Sequence, residues 1–250
     1  MRRMMVLLWF VGVAVLAAQE RGADELLREM ERVIAPSEYH AVFSLETDYP
    51  DRRDPAPMVF EAWYKEGVGT LMEIMEPARS KGLRFLQKEG ALWMFNPHAG
   101  SRRPVRLSAT ASFQGSLFSN HDVSDPQYSD DYTAVLSGTE RVEHPELGIV
   151  EAYVVDAKAA HRGAPYGRLR VWIVKEGSIP WKMEFYSKSG FLLKVLWFSG
   201  LKDVAGRVRP TLWRVESLEQ EGAYSVVEVR TMEAVEGLPD ERFSLAALTR

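Results

Sequence analysis

The sequence contains no cysteine. That absence removes disulfide bridges, lipid attachment through a cleavage-site cysteine and every zinc site built on sulfur. Histidine is sparse as well: His40, His98, His121, His144 and His161 are scattered, and none pairs with another at a spacing that would place two imidazoles on one helix face. A basic excess is missing, since 31 lysines and arginines face 35 acids. This argues against a nucleic-acid binder, whose footprint is a strongly basic face. There is no internal repeat and no low-complexity tract.

The first residues, MRRMMVLLWFVGVAVLAAQE, place Arg2 and Arg3 before an uncharged apolar run from Met4 to Ala18. That run is shorter than the roughly 20 residues a spanning helix needs, and small residues close it. The layout predicts a secretory signal over residues 1–18, cleaved near Ala17 or Ala18; an uncleaved anchor is the alternative. Its removal takes away two arginines and no acid, which moves the formal charge from −4 to −6. A soluble periplasmic protein of one domain, residues 19–250, fits best, because a chain this long can rely on a core instead of disulfides.

After that leader, ADELLREMERVIAP spaces Leu26, Leu27, Met30, Val33 and Ile34 as on one face of a helix, with Asp24 at its start and Pro36 at its stop. From Tyr39 the period falls to two. Thirteen alternating segments read as strands: 39–48, 57–66, 69–75, 82–88, 91–95, 103–108, 132–141, 149–157, 167–175, 180–187, 190–200, 207–217 and 223–234. Most connectors are short and carry Gly or Pro, which implies antiparallel neighbours in a meander. So many strands predict a mainly β fold with an α lid: a strongly curved sheet, or half-open antiparallel barrel, with the N-terminal helix and a short helical segment over its concave face. The one long interruption is 109–131, and long loops in compact domains are usually functional.

That interruption contains SFQGSLFSNHDVSD. Its serines lie near His121, Asp122 and Asp125, but a hydrolytic triad is a spatial arrangement and the G-x-S-x-G elbow is absent around Ser116. Asp122, Asp125, Asp130 and Asp131 lack the regular spacing of a calcium loop and read as caps and turn residues. The expectation is therefore no catalytic residue, no metal and no cofactor. Phe113, Leu117 and Phe118 recur at i, i+4 and i+5, as on one face of a short helix. With Gly115 for backbone freedom, the stretch reads as a lid, together with Leu27 and Met30 of the N-terminal helix.

Large apolar side chains on the strands supply a candidate lipid-binding lining: Trp63, Met72, Ile74, Phe85, Trp93, Phe95, Trp172, Phe185 and Trp197, with Phe113, Leu117 and Phe118 of the lid. For any one of them plain core is the better reading, but a wide curled sheet leaves space that side chains do not fill. Arg102, Arg103 and Arg106 read either as a solvated edge or as a basic rim beside that cavity, suited to an anionic headgroup.

Taken in order, LWMFNP, RRPVRL, SFQGSLFSNHD, DDY, FYSKSGFLLKVLWFSGLKDVAGRVRPTLWRVES and LPDERFSLAAL resemble the LolA-like, outer-membrane lipoprotein-sorting family. Leu92, Trp93 and Pro97 match its L-W-x-x-x-P strand, and Ser112, Phe113, Gly115, Ser116 and Asp122 resemble its S-F-x-G-S/T-D-type segment. Gly190, Lys194, Gly206, Pro210 and Phe243 fall where its C-terminal half has the same types. The sequence departs from it at Asn120 and His121. The resemblance implies a half-open barrel and a periplasmic carrier that shields the acyl chains of a lipoprotein, or another lipid, on the way to the outer membrane. An inner-membrane exporter and an outer-membrane acceptor are the expected partners of such a carrier, and an acidic chain with an internal site has no need to associate, so a monomer is expected. An envelope sensor of the same fold, signalling to a protein partner, is the other reading.

Overall fold

The computed structural model describes residues 22–100, 103–124 and 127–250; the predicted signal and Arg102 lie outside them. Helix α1 (Ala23–Ile34) is followed by strands β1 (Glu38–Asp48), β2 (Met58–Lys65), β3 (Gly69–Glu76), β4 (Arg84–Lys88), β5 (Ala91–Phe95) and β6 (Val105–Leu107). Next come the short helix α2 (Asn120–Ser124) and strands β7 (Tyr132–His144), β8 (Gly148–Ala159), β9 (Arg168–Val174), β10 (Pro180–Tyr186), β11 (Leu192–Val204), β12 (Arg207–Ser217) and β13 (Tyr224–Ala234). A 3₁₀ turn (Asp240–Phe243) and helix α3 (Leu245–Leu248) end the chain. All thirteen predicted strands are present. The two C-terminal helical turns were not among the sequence expectations.

The strands form one antiparallel sheet in the order β6-β5-β4-β3-β2-β1-β13-β12-β11-β10-β9-β8-β7. Each half is a meander, and β1 pairs with β13 to join them. The sheet is not closed: β6 and β7 are its two edges. These edge strands are consecutive in sequence, so the segment between them must run from one edge of the sheet to the other. Topology alone therefore lays residues 108–131 across the sheet. Tight reversals allow the meander: Glu89–Gly90 and Ala205–Gly206 both have positive φ at each residue, the two-residue turn whose twist suits antiparallel strands.

Alternation gives the sheet an inner face, under α1 and the crossing segment, and an outer face. The main core lies on the inner face and includes Phe43, Phe60, Met72, Ile74, Phe85, Leu169, Val171, Met183, Phe185, Leu196 and Phe198. Helix α1 buries Leu26, Leu27, Met30 and Ile34 there, while Val33 packs with Val174 and Ile179. Polar bonds fix it: Asp24 accepts the Ala134 N–H at 2.8 Å, and the Arg209 guanidinium donates to the last-turn carbonyls of Arg32 and Val33 at 2.6 and 2.9 Å. The first of these bonds covers part of the free β7 edge, and the second satisfies carbonyls that a helix end leaves without partners. On the outer face the C-terminal turns set Phe243 and Leu248 against Leu71, Leu86 and Phe95.

Candidate functional site

The crossing segment is a plug made of a tight hairpin followed by α2. Ser112 and Ser119 form an isolated antiparallel bridge, and the Phe113 N–H donates to the Phe118 carbonyl at 2.8 Å. Gln114 and Gly115 turn the chain at φ of 51° and 84°, closed by the Ser116 N–H on the Phe113 carbonyl. Residues 113–118 are therefore not the helical face that their spacing predicts; the helix begins at Asn120. Phe113 and Phe118 both point inward because a hairpin bridge aligns them. Gly115 serves the turn, whose positive φ it adopts without strain.

Phe113 is fully buried and packs between Phe60 and Phe85, at centroid distances of 5.9 and 5.2 Å. The serines are engaged in holding the hairpin: the Ser112 hydroxyl donates to the Ser116 carbonyl at 2.6 Å, and the Ser116 hydroxyl to the Phe113 carbonyl at 2.8 Å. Among the described residues no three His, Asp or Glu side chains group in a way that could hold a metal ion.

A buried ion pair fastens the plug to the sheet. Lys194 of β11 stands on the inner face and donates to Asp122 of α2 and, at 3.0 Å, to the Leu117 carbonyl. Asp122 also accepts the Ser119 N–H at 2.7 Å and the Tyr166 hydroxyl at 3.0 Å. Burial pushes the Asp122 carboxyl up, but the Lys194 ammonium and its hydrogen bond outweigh that and hold it below the ordinary value. Further ties run from the Tyr49 hydroxyl to the Gly115 carbonyl, 2.9 Å, and from the Leu117 N–H to the Ser225 hydroxyl, 3.0 Å.

Beneath the plug lies an apolar cavity of about 40 Å³ walled by Phe43, Phe60, Phe118, Leu196, Phe198 and Trp213, among others. That is space for a few waters, far below what an acyl chain fills. Above the plug is a compartment of about 430 Å³ reached by Leu117, Phe118 and Lys194. The plug is therefore seated on the inner face, with Phe118 standing over the cavity.

The candidate lining divides between the faces. Met72, Ile74, Phe85, Phe113, Phe118 and Phe185 meet in the inner core, with Leu117 packed against it, and Leu27 and Met30 of α1 join them. Trp63, Trp93 and Phe95 stand on the outer face against the C-terminal turns, which corrects their placement. The same correction applies to Trp172 and Trp197. The Trp172 N–H donates to Glu140 at 2.8 Å, the Lys182 ammonium lies 3.6 Å from its ring centroid, and Trp197 packs edge-on against Trp181. The strand period separates neighbours such as Trp172 and Val171, but both faces carry large apolar residues. Arg103 and Arg106 are exposed at the β6 edge, away from the lining of either compartment. Replacing Trp63 or Trp197 by alanine is accordingly expected to leave the affinity for an acylated peptide within about twofold, read by fluorescence titration; a loss of about tenfold or more would put these rings in the site.

Sequence reasoning did not single out Glu31, which holds α1 against the chain leaving the plug. It is 7% exposed, and its carboxylate accepts the Ser129 N–H at 2.6 Å and hydroxyl at 2.7 Å. Burial pushes the carboxyl up to about 7 from 4.5, against those hydrogen bonds. Between these values the native protein holds a proton that the unfolded chain has released, so stability falls as pH rises through 7. The group accounts for a loss of about 3 kcal/mol across that window. Glu31→Gln should remove this part of the slope in urea unfolding compared at about pH 5 and about pH 8; an unchanged slope would assign it to another group.

With this geometry in hand, known proteins can be compared. The model of a family described as uncharacterized protein matches residues 66–250, well over half of the chain. A LolA superfamily protein from Nitrosomonas europaea superposes with a TM-score of 0.80 at 25% identity, covering 90% of this chain and 98% of its own. The chain belongs to the family of that model and has the LolA-like fold. A DUF1329 family protein from Desulfovibrio piger shares this LolA-like fold, with a TM-score of 0.77 at 22% identity over 90% of this chain and 97% of that one. So does an outer membrane lipoprotein-sorting protein domain from Vibrio parahaemolyticus, with a TM-score of 0.75 at 20% identity over 91% and 98%. No curated protein matches the sequence.

Proposed function

We propose that this LolA-like protein is a periplasmic carrier that shields the acyl chains of a lipoprotein, or another lipid, between the inner face of its sheet and a movable plug. It binds and releases its cargo and does not transform it. The observation that carries this reading is the apolar cavity under Phe118, roofed by a segment that topology lays across the sheet and that polar bonds, not a continuous strand, hold down. Each methylene taken from water contributes about 0.8 kcal/mol, so a long acyl chain gains on the order of 10 kcal/mol, enough to offset opening of the plug. An inner-membrane exporter would supply the cargo and an outer-membrane acceptor would take it, with the carrier a monomer.

The test is to isolate the exported protein, identify bound species by native mass spectrometry and lipid extraction, and titrate the stripped protein with an acylated peptide. A co-purifying lipid or saturable binding supports the carrier. Neither bound lipid nor binding of the peptide would overturn it.

A further inference from the structure

The two compartments meet at one side chain. Phe118 walls both the small apolar cavity beneath the plug and the larger compartment above it. Their chemistry differs. The lower one is built from Phe43, Phe60, Leu196 and Phe198. The upper one is lined by the hydroxyls of Ser112, Ser119 and Tyr166, by two cations, Arg52 and Lys194, and by a single acid, Glu219. A polar compartment stacked on an apolar one is complementary to an amphiphile, with its head above and its chain below.

The two cations have capacity to spare. An ammonium has three N–H donors, and Lys194, 8% exposed, gives two of them to Asp122 and the Leu117 carbonyl. Its ammonium also stands 5.3 Å from the Tyr166 ring centroid and 5.1 Å from that of Phe185, and the side chain lines the compartment. The Arg52 guanidinium carbon lies over the Tyr49 ring, 3.6 Å from the centroid. Stacking leaves the in-plane N–H groups of a guanidinium open for a bidentate partner. Asp122 already balances the Lys194 charge, and Glu219 is the one acid in the lining to set against Arg52, so what the compartment offers an anion is N–H donors and not a net positive charge.

We propose that the compartment above Phe118 receives the anionic head of an acyl-chain amphiphile, a carboxylate or phosphate set between Arg52 and Lys194, with the chain passing Phe118 into the apolar cavity. This rests on the carrier reading and gives its site a headgroup preference. It also moves the basic contact from the β6 edge, where Arg103 and Arg106 stand, to the mouth of the plug.

The lipid-stripped protein is titrated with hexadecanoate, with a single-chain lysophosphatidate and with hexadecanol, as wild type and as Arg52→Gln. Arg52 is exposed, so the variant is expected to fold. Both anions should bind about tenfold or more tighter than the alcohol, and Arg52→Gln should take about tenfold from the anions while leaving the alcohol within about twofold. A larger effect on the phosphate than on the carboxylate supports the proposal and assigns the head to a phosphate; the reverse supports it and assigns a carboxylate. If the alcohol binds as tightly as the anions, or loses as much in the variant, the headgroup site is wrong while the carrier stands. If none of the three binds, the headgroup site fails, and the acylated-peptide titration decides the carrier reading separately.

Discussion

Lys194→Met is expected to cost about 3–5 kcal/mol of stability and to loosen the plug before the rest of the fold. The lysine is 8% exposed and faces a carboxylate whose side chain is 2% exposed. Removing it leaves Asp122 with the Ser119 N–H and the Tyr166 hydroxyl but without a counter-charge. Burial, the largest influence on this carboxyl, is then opposed by little more than the Ser119 hydrogen bond and drives it toward its neutral form, which limits the loss. The double variant Lys194→Met/Asp122→Asn should recover much of the difference, because neither residue then buries an unpaired charge. Urea unfolding at constant m measures the cost, and hydrogen exchange at residues 112–124 locates it. A loss below about 1 kcal/mol would show that the pair is not what fastens the plug.

The same pair has an acid limit. Because the folded-state carboxyl of Asp122 is held below its ordinary value of 3.8, its contribution is present above that pH and is lost as pH falls through the lower, folded-state value. Glu31 works in the opposite sense, adding stability as pH falls from 7 toward 4.5. Two contacts made seven residues apart in one crossing segment, at Asp122 and at Ser129, thus respond oppositely to acid. Helix α1 is held best in mild acid, and the hairpin above about pH 4.

Much of this architecture is legible in the sequence because it is local. Period-two alternation marks all thirteen strands, and 3.6-residue spacing with Pro36 as a stop marks α1. What sequence does not separate is inside from outside, since both faces of the sheet are covered. Trp93 and Leu92 are equally apolar, and only the C-terminal turns decide that Trp93 faces outward. Those turns escape notice because Asp240–Phe243 and Leu245–Leu248 are too short for a helical period to show. Lys194 did carry a signal. In FLLKVLWF it shares alternation with Leu196 and Phe198, so a lysine on a core face demanded a buried acid partner. That Asp122 is this partner depends on the long crossing from β6 to β7, which no local pattern encodes.

Phe118→Ala is expected to destabilise the ligand-free protein by about 3 kcal/mol and at the same time to tighten cargo binding by about tenfold. The two effects share a cause. Phe118 is 3% exposed and borders the cavity that an acyl chain must enlarge, so the ring competes with the cargo for the same apolar surroundings. Burying a phenylalanine is worth about 1.5–3 kcal/mol, and an incoming chain has to displace that contact. Without the ring the chain enters at no such cost, and it leaves more slowly because nothing refills its place. Phe113 acts differently. Fully buried between Phe60 and Phe85, it anchors the hairpin, so Phe113→Ala should cost about 3–5 kcal/mol without the gain in affinity. Titration with an acylated peptide, and its transfer to acceptor vesicles, separates the two roles. If Phe118→Ala weakens binding or leaves it unchanged, the ring is a wall of the site and not a competitor for it.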